Sequence, residues 1–230
     1  MSLYDEVKKR AHTIAEWNGL KNALENGGLR RFQDISLSEA VVLGLLNQGV
    51  SKYIGILGHG NTDFANILSH YENEGLVQFF NVRHETEAAH CVTMLKWRYD
   101  ETAAVLTSIG PGALHAFAGS LVSASNGIGV YHIYGDETTQ DEGPNMQQLP
   151  SNEQAGFLKM VEAMGRGYLL HTPEAVFTAL RRGASTVFNP DQAGPFFFLL
   201  PMNIQPKLIT DCNLAEIPEK PVFPRTVCTD

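Results

Sequence analysis

The sequence predicts an open α/β domain, a mainly parallel sheet flanked by helices on both faces, and three observations predict it. Short, continuously apolar runs alternate with segments of helical periodicity through three successive strand-to-helix cycles and into a fourth strand. The apolar runs are too uniformly hydrophobic for a sheet with one wet face, which suits parallel strands covered on both sides. The glycine-rich and polar turns follow the apolar runs, so right-handed crossovers would gather them along one edge of the sheet.

The elements follow in order. Val7, Ala11, Ile14, Trp17, Leu20 and Leu24 recur every three or four residues, which predicts an N-terminal helical arm over residues 1–30, stopped at Gly27-Gly28 and packed on the main body or on a partner. Ser36 and Glu39 have the spacing of a capping box ahead of an apolar helix that Gly49 ends. Residues 53–57 predict a strand, the turn Gly58-His59-Gly60-Asn61 follows, and a helix covers residues 64–71. The cycle repeats with a strand at 77–82 and a helix at about 85–99, then a strand at 103–109 and a helix at about 113–125. A strand at 129–134 leads into a polar loop over 135–150 and a helix over 153–164. Thr172-Pro173 starts a further helix, with proline at its first position, and residues 194–201 give the last strand. The main domain therefore spans residues 31–205. Beyond it, residues 206–230 read as an extended tail held by contacts, with Pro201, Pro206, Pro218, Pro221 and Pro224 among single apolar residues.

Composition narrows the function. The chain has 230 residues, 43% of them hydrophobic, enough for one substantial core. Seventeen basic residues against 25 acidic ones give a net charge of -8 without charge blocks, which disfavours a nucleic-acid footprint. Cys91, Cys212 and Cys228 share no ligand spacing, and their odd number suits a reducing compartment. Cys91 falls in a helical pattern and is expected to be a buried thiol. Neither a leader peptide nor a membrane-spanning run is recognised, so a cytoplasmic location is expected.

Chemistry is expected at the shared edge. Gly110-Pro111-Gly112 allows a tight turn and close approach of backbone to a ligand, although such a turn also simply ends strands. The sequence carries neither a P-loop nor a dinucleotide fingerprint. Glu85 opens a helix, where a carboxylate is either a favourable N-terminal charge or a functional acid. Glu87 is its rival, rotated away on the same helix. His59, His84, His90 and His115 are candidate polar groups without the spacing of a zinc helix, and no metal site is expected from this chain alone.

The ordered set Arg83-His84-Glu85-x-x-Ala88-Ala89-His90, Thr107-Ser108-Ile109-Gly110-Pro111-Gly112-Ala113 and Tyr134-Gly135-Asp136 resembles the pyrimidine-binding (PYR) domain of thiamine-diphosphate enzymes related to acetolactate synthase. Gly194-Pro195 through Leu200-Pro201-Met202-Asn203-Ile204-Gln205 resembles the segment that closes that domain, so the resemblance covers about residues 36–205. The turn Gly58-His59-Gly60-Asn61 and the loop Gly143-Pro144-Asn145-Met146-Gln147-Gln148 resemble the branch containing the trihydroxycyclohexanedione hydrolase of inositol breakdown. Two features depart from the pattern: His115 stands where such enzymes usually have asparagine, and residues 91–98 replace their usual Ala-x-Gly-Tyr-Ala-Arg run.

The resemblance implies a thiamine-diphosphate cofactor whose aminopyrimidine ring nitrogen meets the carboxyl of Glu85, with Ser108, Ile109, Gly110, Pro111 and Gly112 lining the cofactor. It implies substrate contacts from Gly58, His59, Gly60, Asn61, His84, His115, Gln147 and Gln148, with His59 and His115 as acid/base or polarising groups. No stretch offers the diphosphate and metal site of full-length relatives. A separate diphosphate-binding subunit is therefore expected to hold most of the Mg²⁺ shell, in a hetero-oligomer with two copies of each chain. The implied reaction cleaves or forms a carbon-carbon bond next to a carbonyl, in a 2-oxo acid, acyloin or cyclic 1,2-diketone. The alternatives are a subunit of a 2-oxo acid decarboxylase and a non-catalytic regulatory or interaction protein that retains the domain.

Overall fold

The structure is a computed structural model that describes residues 3–140, 148 and 155–223. Helices α1 (Leu3–Glu16) and α2 (Leu20–Glu25) lead to strand β1 (Phe32–Ser36) and helix α3 (Leu37–Asn47). The alternating part comprises β2 (Lys52–Ile56), α4 (Thr62–Asn73), β3 (Gln78–Asn81), α5 (Glu85–Tyr99), β4 (Ala104–Thr107), α6 (Pro111–Gly119), α7 (Leu121–Ser125) and β5 (Tyr131–Asp136). It closes with α8 (Gly156–Val161), β6 (Arg166–Leu169), α9 (Val176–Val187), β7 (Phe196–Pro201) and β8 (Leu208–Asn213).

Six strands form one sheet in the order β3-β2-β4-β5-β7-β6, with every neighbouring pair parallel. The open α/β architecture predicted from the sequence is the one observed. Side chains alternate between the faces, as the two-residue period of a strand requires. Tyr53, Ala104, Leu106, Tyr131, Ile133, Phe196 and Phe198 pack into a core with α1, α3, α4 and α9. Ile54, Val105, Tyr134, Phe197 and Leu199 pack into a second core with α5, α6 and α8. Burial on both faces is why these strands read as unbroken apolar runs.

Three strands lie outside the sequence expectation. β6 is an edge strand of mixed burial, and its Arg166-Gly167-Tyr168-Leu169 carries too few apolar residues to stand out. β1 and β8 pair antiparallel in a separate two-stranded sheet, with Ile35 opposite Ile209 and Gln33 opposite Cys212. Part of the segment read as an extended tail is thus an ordered strand, and Ile209, Cys212, Leu214 and Ile217 are buried in the first core.

The N-terminal stripe forms two helices rather than one. Asn18 at φ 53° and Gly19 at φ 128° break the chain between α1 and α2, and Trp17 is left exposed. Ser36 caps α3 by accepting from the Glu39 N–H, as its spacing predicts. The Glu39 carboxylate does not complete the box. It takes two hydrogen bonds from Arg10 on α1, at 2.7 and 3.0 Å, and one from the Tyr71 hydroxyl at 2.8 Å. Cys91 is exposed rather than buried, because α5 turns Ala88, Ala89 and Val92 inward and leaves residue 91 outside. No helix among the described residues is long and apolar enough to cross a membrane.

Candidate active site

Strand order fixes where a site can form. From β2 the chain steps outward to β3 and then returns across β2 to β4, so the topological switch lies between β2 and β4. Ligands in open α/β sheets bind outside the carboxyl ends of the strands at such a switch. The turn Gly58-His59-Gly60-Asn61 leaves β2 there, and Ser108-Ile109-Gly110-Pro111-Gly112 leaves β4 beside it. β3 leads to His84 and Glu85, and β5 ends at Asp136.

The two turns brace each other. The Gly60 N–H donates to Ser108 Oγ at 3.2 Å. Gln205 donates through Nε2 to the carbonyls of Gly60, at 2.7 Å, and Leu200, at 2.8 Å, while its Oε1 accepts from the Phe64 N–H. Gln205 is a positioning residue that sequence reasoning noticed only as part of a motif. Asn61 is buried, and its Oδ1 accepts from the Gly58 N–H at 2.9 Å. Its Nδ2 is buried and has no partner among the described residues. Such a donor stays costly until something accepts from it.

His84 is the N-cap of α5, its Nδ1 accepting from the Thr86 N–H at 3.3 Å. Glu85 is therefore the first residue of that helix, where the dipole favours a negative charge. Its side chain is 14% exposed, and Oε2 lies 3.1 Å from His115 Nδ1 on α6. The His84 and His115 rings lie 4.4 Å apart, centroid to centroid, inclined by 31°. Thr86 Oγ1 donates to the His115 carbonyl at 2.9 Å, which ties α6 to the first turn of α5. Glu87 points outward and is exposed, so the structure separates it from its rival.

The glycine turn supplies the opposite wall. Gly110 sits at φ 67° ahead of Pro111, the first residue of α6, a conformation that strains any other residue. A Cβ on Gly112 would stand 3.0 Å from Glu85 Oε1. Gln148 lies over Gly110, where an added Cβ would meet its backbone and side chain. Gln147 falls outside the described residues.

The structure thus brings His84, Glu85, His115, Gly110, Gly112 and Gln148 to one rim. His59 is exposed on the neighbouring turn, and its ring makes no hydrogen bond to another described residue. Two polar groups that sequence reasoning left without a role stand at the end of β5. Asp136 and Glu137 are both buried, and burial, reinforced by the charge of Glu137, pushes the Asp136 carboxyl up to about 6. Only the pattern of Tyr134-Gly135-Asp136 hinted at them.

Among the described residues, His84, Glu85 and His115 are the one group of three or more histidine, cysteine or carboxylate ligands within metal-holding distance, their ligand atoms within 4.8 Å of one another. Two imidazoles and one carboxylate do not suit Mg²⁺, which takes an octahedral shell of oxygens. Residues 35–157 match the family model described as thiamine pyrophosphate enzyme, N-terminal TPP binding domain. No curated protein matches the chain at a significant level.

Proposed function

The chain belongs to the thiamine pyrophosphate enzyme family of N-terminal TPP-binding domains, and from that premise we propose that it is the PYR subunit of a two-chain enzyme that cleaves or forms a carbon-carbon bond next to a carbonyl. Glu85 carries the reading: a largely buried carboxyl group at a helix start, aimed at a glycine turn where a methyl group would crowd it.

The residues fit the pyrimidine end of thiamine diphosphate. Gly112 puts no side chain of its own against the Glu85 carboxyl group, which suits close approach of a flat heterocycle to that edge. When bound, the cofactor supplies a nucleophilic carbon and an electron sink, and the protein supplies position and polarity. Glu85 would hold and exchange a proton with the pyrimidine end of the cofactor; an amide in its place would keep a hydrogen bond and lose the exchange. Ser108 and Ile109 keep the turn in place behind Gly110, Pro111 and Gly112, and Gln148 lies over its outer side.

For the substrate side we assign Gly58, His59, Gly60, Asn61, His84, His115, Gln147 and Gln148. His59 is exposed at this turn, and its imidazole carries a donor and an acceptor for a substrate oxygen. The buried Nδ2 of Asn61 offers a donor at the same turn. A 2-oxo acid, an acyloin or a cyclic 1,2-diketone would present the carbonyl, with the cyclic diketone favoured by the Gly58-His59-Gly60-Asn61 turn.

The diphosphate and Mg²⁺ are assigned to a separate diphosphate-binding subunit, in an assembly with two copies of each chain. The nitrogen-rich character of the one ligand cluster among the described residues supports this division. The purified chain, given thiamine diphosphate and Mg²⁺, is expected to bind the cofactor weakly and to turn over no 2-oxo acid or cyclic diketone. Mixing with the diphosphate-binding chain is expected to restore turnover. Turnover by the purified single chain contradicts the two-chain reading.

A further inference from the structure

We propose that His115 is a proton relay for Glu85, connecting the carboxyl group to solvent through Oε2, the oxygen that does not face Gly112; the inference rests on the assignment of Glu85 above. The two oxygens of Glu85 face different neighbours. Oε1 faces Gly112 and the cradle, and Oε2 faces His115 Nδ1 at 3.1 Å. A ligand in the cradle covers the first oxygen, and the carboxylate, 14% exposed, then has little direct contact with water. The His115 side chain is 48% exposed, and its Nδ1 is taken up by Glu85, which leaves Nε2 as the nitrogen for exchange with water.

The relay is held in register from several directions. Thr86 Oγ1 fixes the His115 backbone, and the His84 ring lies against the His115 ring. His84 is itself fixed by capping α5 through Nδ1. On the first turns of α5 the titratable groups are His84, Glu85, Glu87 and His90, of which Glu87 and His90 are exposed. α6 carries no titratable side chain except His115.

The transfer moves one proton and no electrons. As the carboxyl group gives its proton away at Oε1, Nδ1–H of the neutral imidazole passes a proton to Oε2, and Nε2 takes one from water. The ring remains neutral and exchanges one tautomer for the other. When Oε1 takes its proton back, the reverse transfer resets the ring and returns a proton to water. Histidine suits this task because its two nitrogens donate and accept near neutral pH. An asparagine at the same place can hydrogen-bond the carboxylate but cannot pass a proton through.

Two measurements test the relay. In the isolated full chain, ¹⁵N NMR of labelled histidine is expected to place the proton of neutral His115 on Nδ1; a dominant Nε2–H tautomer overturns the proposal. In the assembled two-chain enzyme, hydrogen-deuterium exchange at C2 of bound thiamine diphosphate is expected to slow at least about tenfold in His115→Ala. Added imidazole is expected to recover much of the loss, and His115→Asn is expected to remain slow. Full recovery in His115→Asn overturns the relay in favour of a merely structural hydrogen bond. Wild-type exchange in His115→Ala alongside slow exchange in Glu85→Gln overturns the relay and leaves the role of Glu85 standing. Wild-type exchange in both variants overturns the assignment of Glu85 itself, and the relay with it.

Discussion

Gly112 lies so close to Glu85 that a Cβ on residue 112 would stand 3.0 Å from Oε1. The carboxyl group is aimed by the absence of a side chain on the facing helix. Gly112→Ala replaces a helical glycine with the best helix former, worth up to about 1 kcal/mol to α6, while it crowds the acid. The variant is expected to melt within a few degrees of the wild type and to lose about tenfold in C2 exchange in the assembled enzyme, through displacement of the acid by a few tenths of an ångström. Thermal melts alongside exchange rates check this. Unchanged exchange would mean that the carboxyl group has slack.

The ion pair between Arg10 and Glu39 anchors the N-terminal helix, with side chains 2% and 0% exposed. Removing one partner of a buried pair leaves an uncompensated charge, at a cost of about 3–5 kcal/mol. Arg10→Ala is expected to destabilise the chain by that order in urea, and Arg10→Ala with Glu39→Gln to lose less than the sum of the two single variants. A double-mutant cycle reads the difference.

His132 is fully buried in the sheet, with Nδ1 3.1 Å from the Tyr134 hydroxyl and Nε2 without a partner among the described residues. Burial depresses its imidazole from 6.5 to about 3. The native state keeps the ring neutral while the unfolded state binds a proton below pH 6.5, so stability present above pH 6.5 falls as pH drops from there toward 3. His132→Phe strands the Tyr134 hydroxyl and is expected to cost about 1–3 kcal/mol at pH 8. Its stability should nevertheless fall less between pH 6.5 and 4, as pH-dependent urea melts will read.

Asp136 acts in the opposite direction. Its carboxyl group is raised from 3.8 to about 6 by burial first and by Glu137 second, against a hydrogen bond from the Glu137 N–H. The native state holds the proton more tightly, so this contribution is full below pH 3.8 and is lost as pH rises through 6. Asp136→Asn is expected to gain stability relative to the wild type from pH 4 to pH 7, by at most about 3 kcal/mol. A pH-independent difference contradicts the shift.

The sheet was legible where both faces are buried. The runs that became β2, β4, β5 and β7 are mainly apolar because both their faces are packed, with His132 a buried exception in β5, and β3 announced itself through residues 77–82. β6 has one dry side, and β1 finds β8 across more than 170 residues, a pairing that no local pattern carries. In the site, the glycine turn and the helix start at Glu85 were visible as local chemistry. The contact between Glu85 and His115 was not, because residues 30 positions apart meet only through the packing of α5 on α6. Arg10 was hidden for a related reason: its partner Glu39 looked like half of a capping box.

The most direct test of the account is the exchange rate of the C2 proton of thiamine diphosphate in the assembled enzyme carrying Glu85→Gln. The account predicts an intact fold, with exchange slowed by about 10²-fold or more. A variant that folds, binds the cofactor and exchanges at the wild-type rate would contradict it.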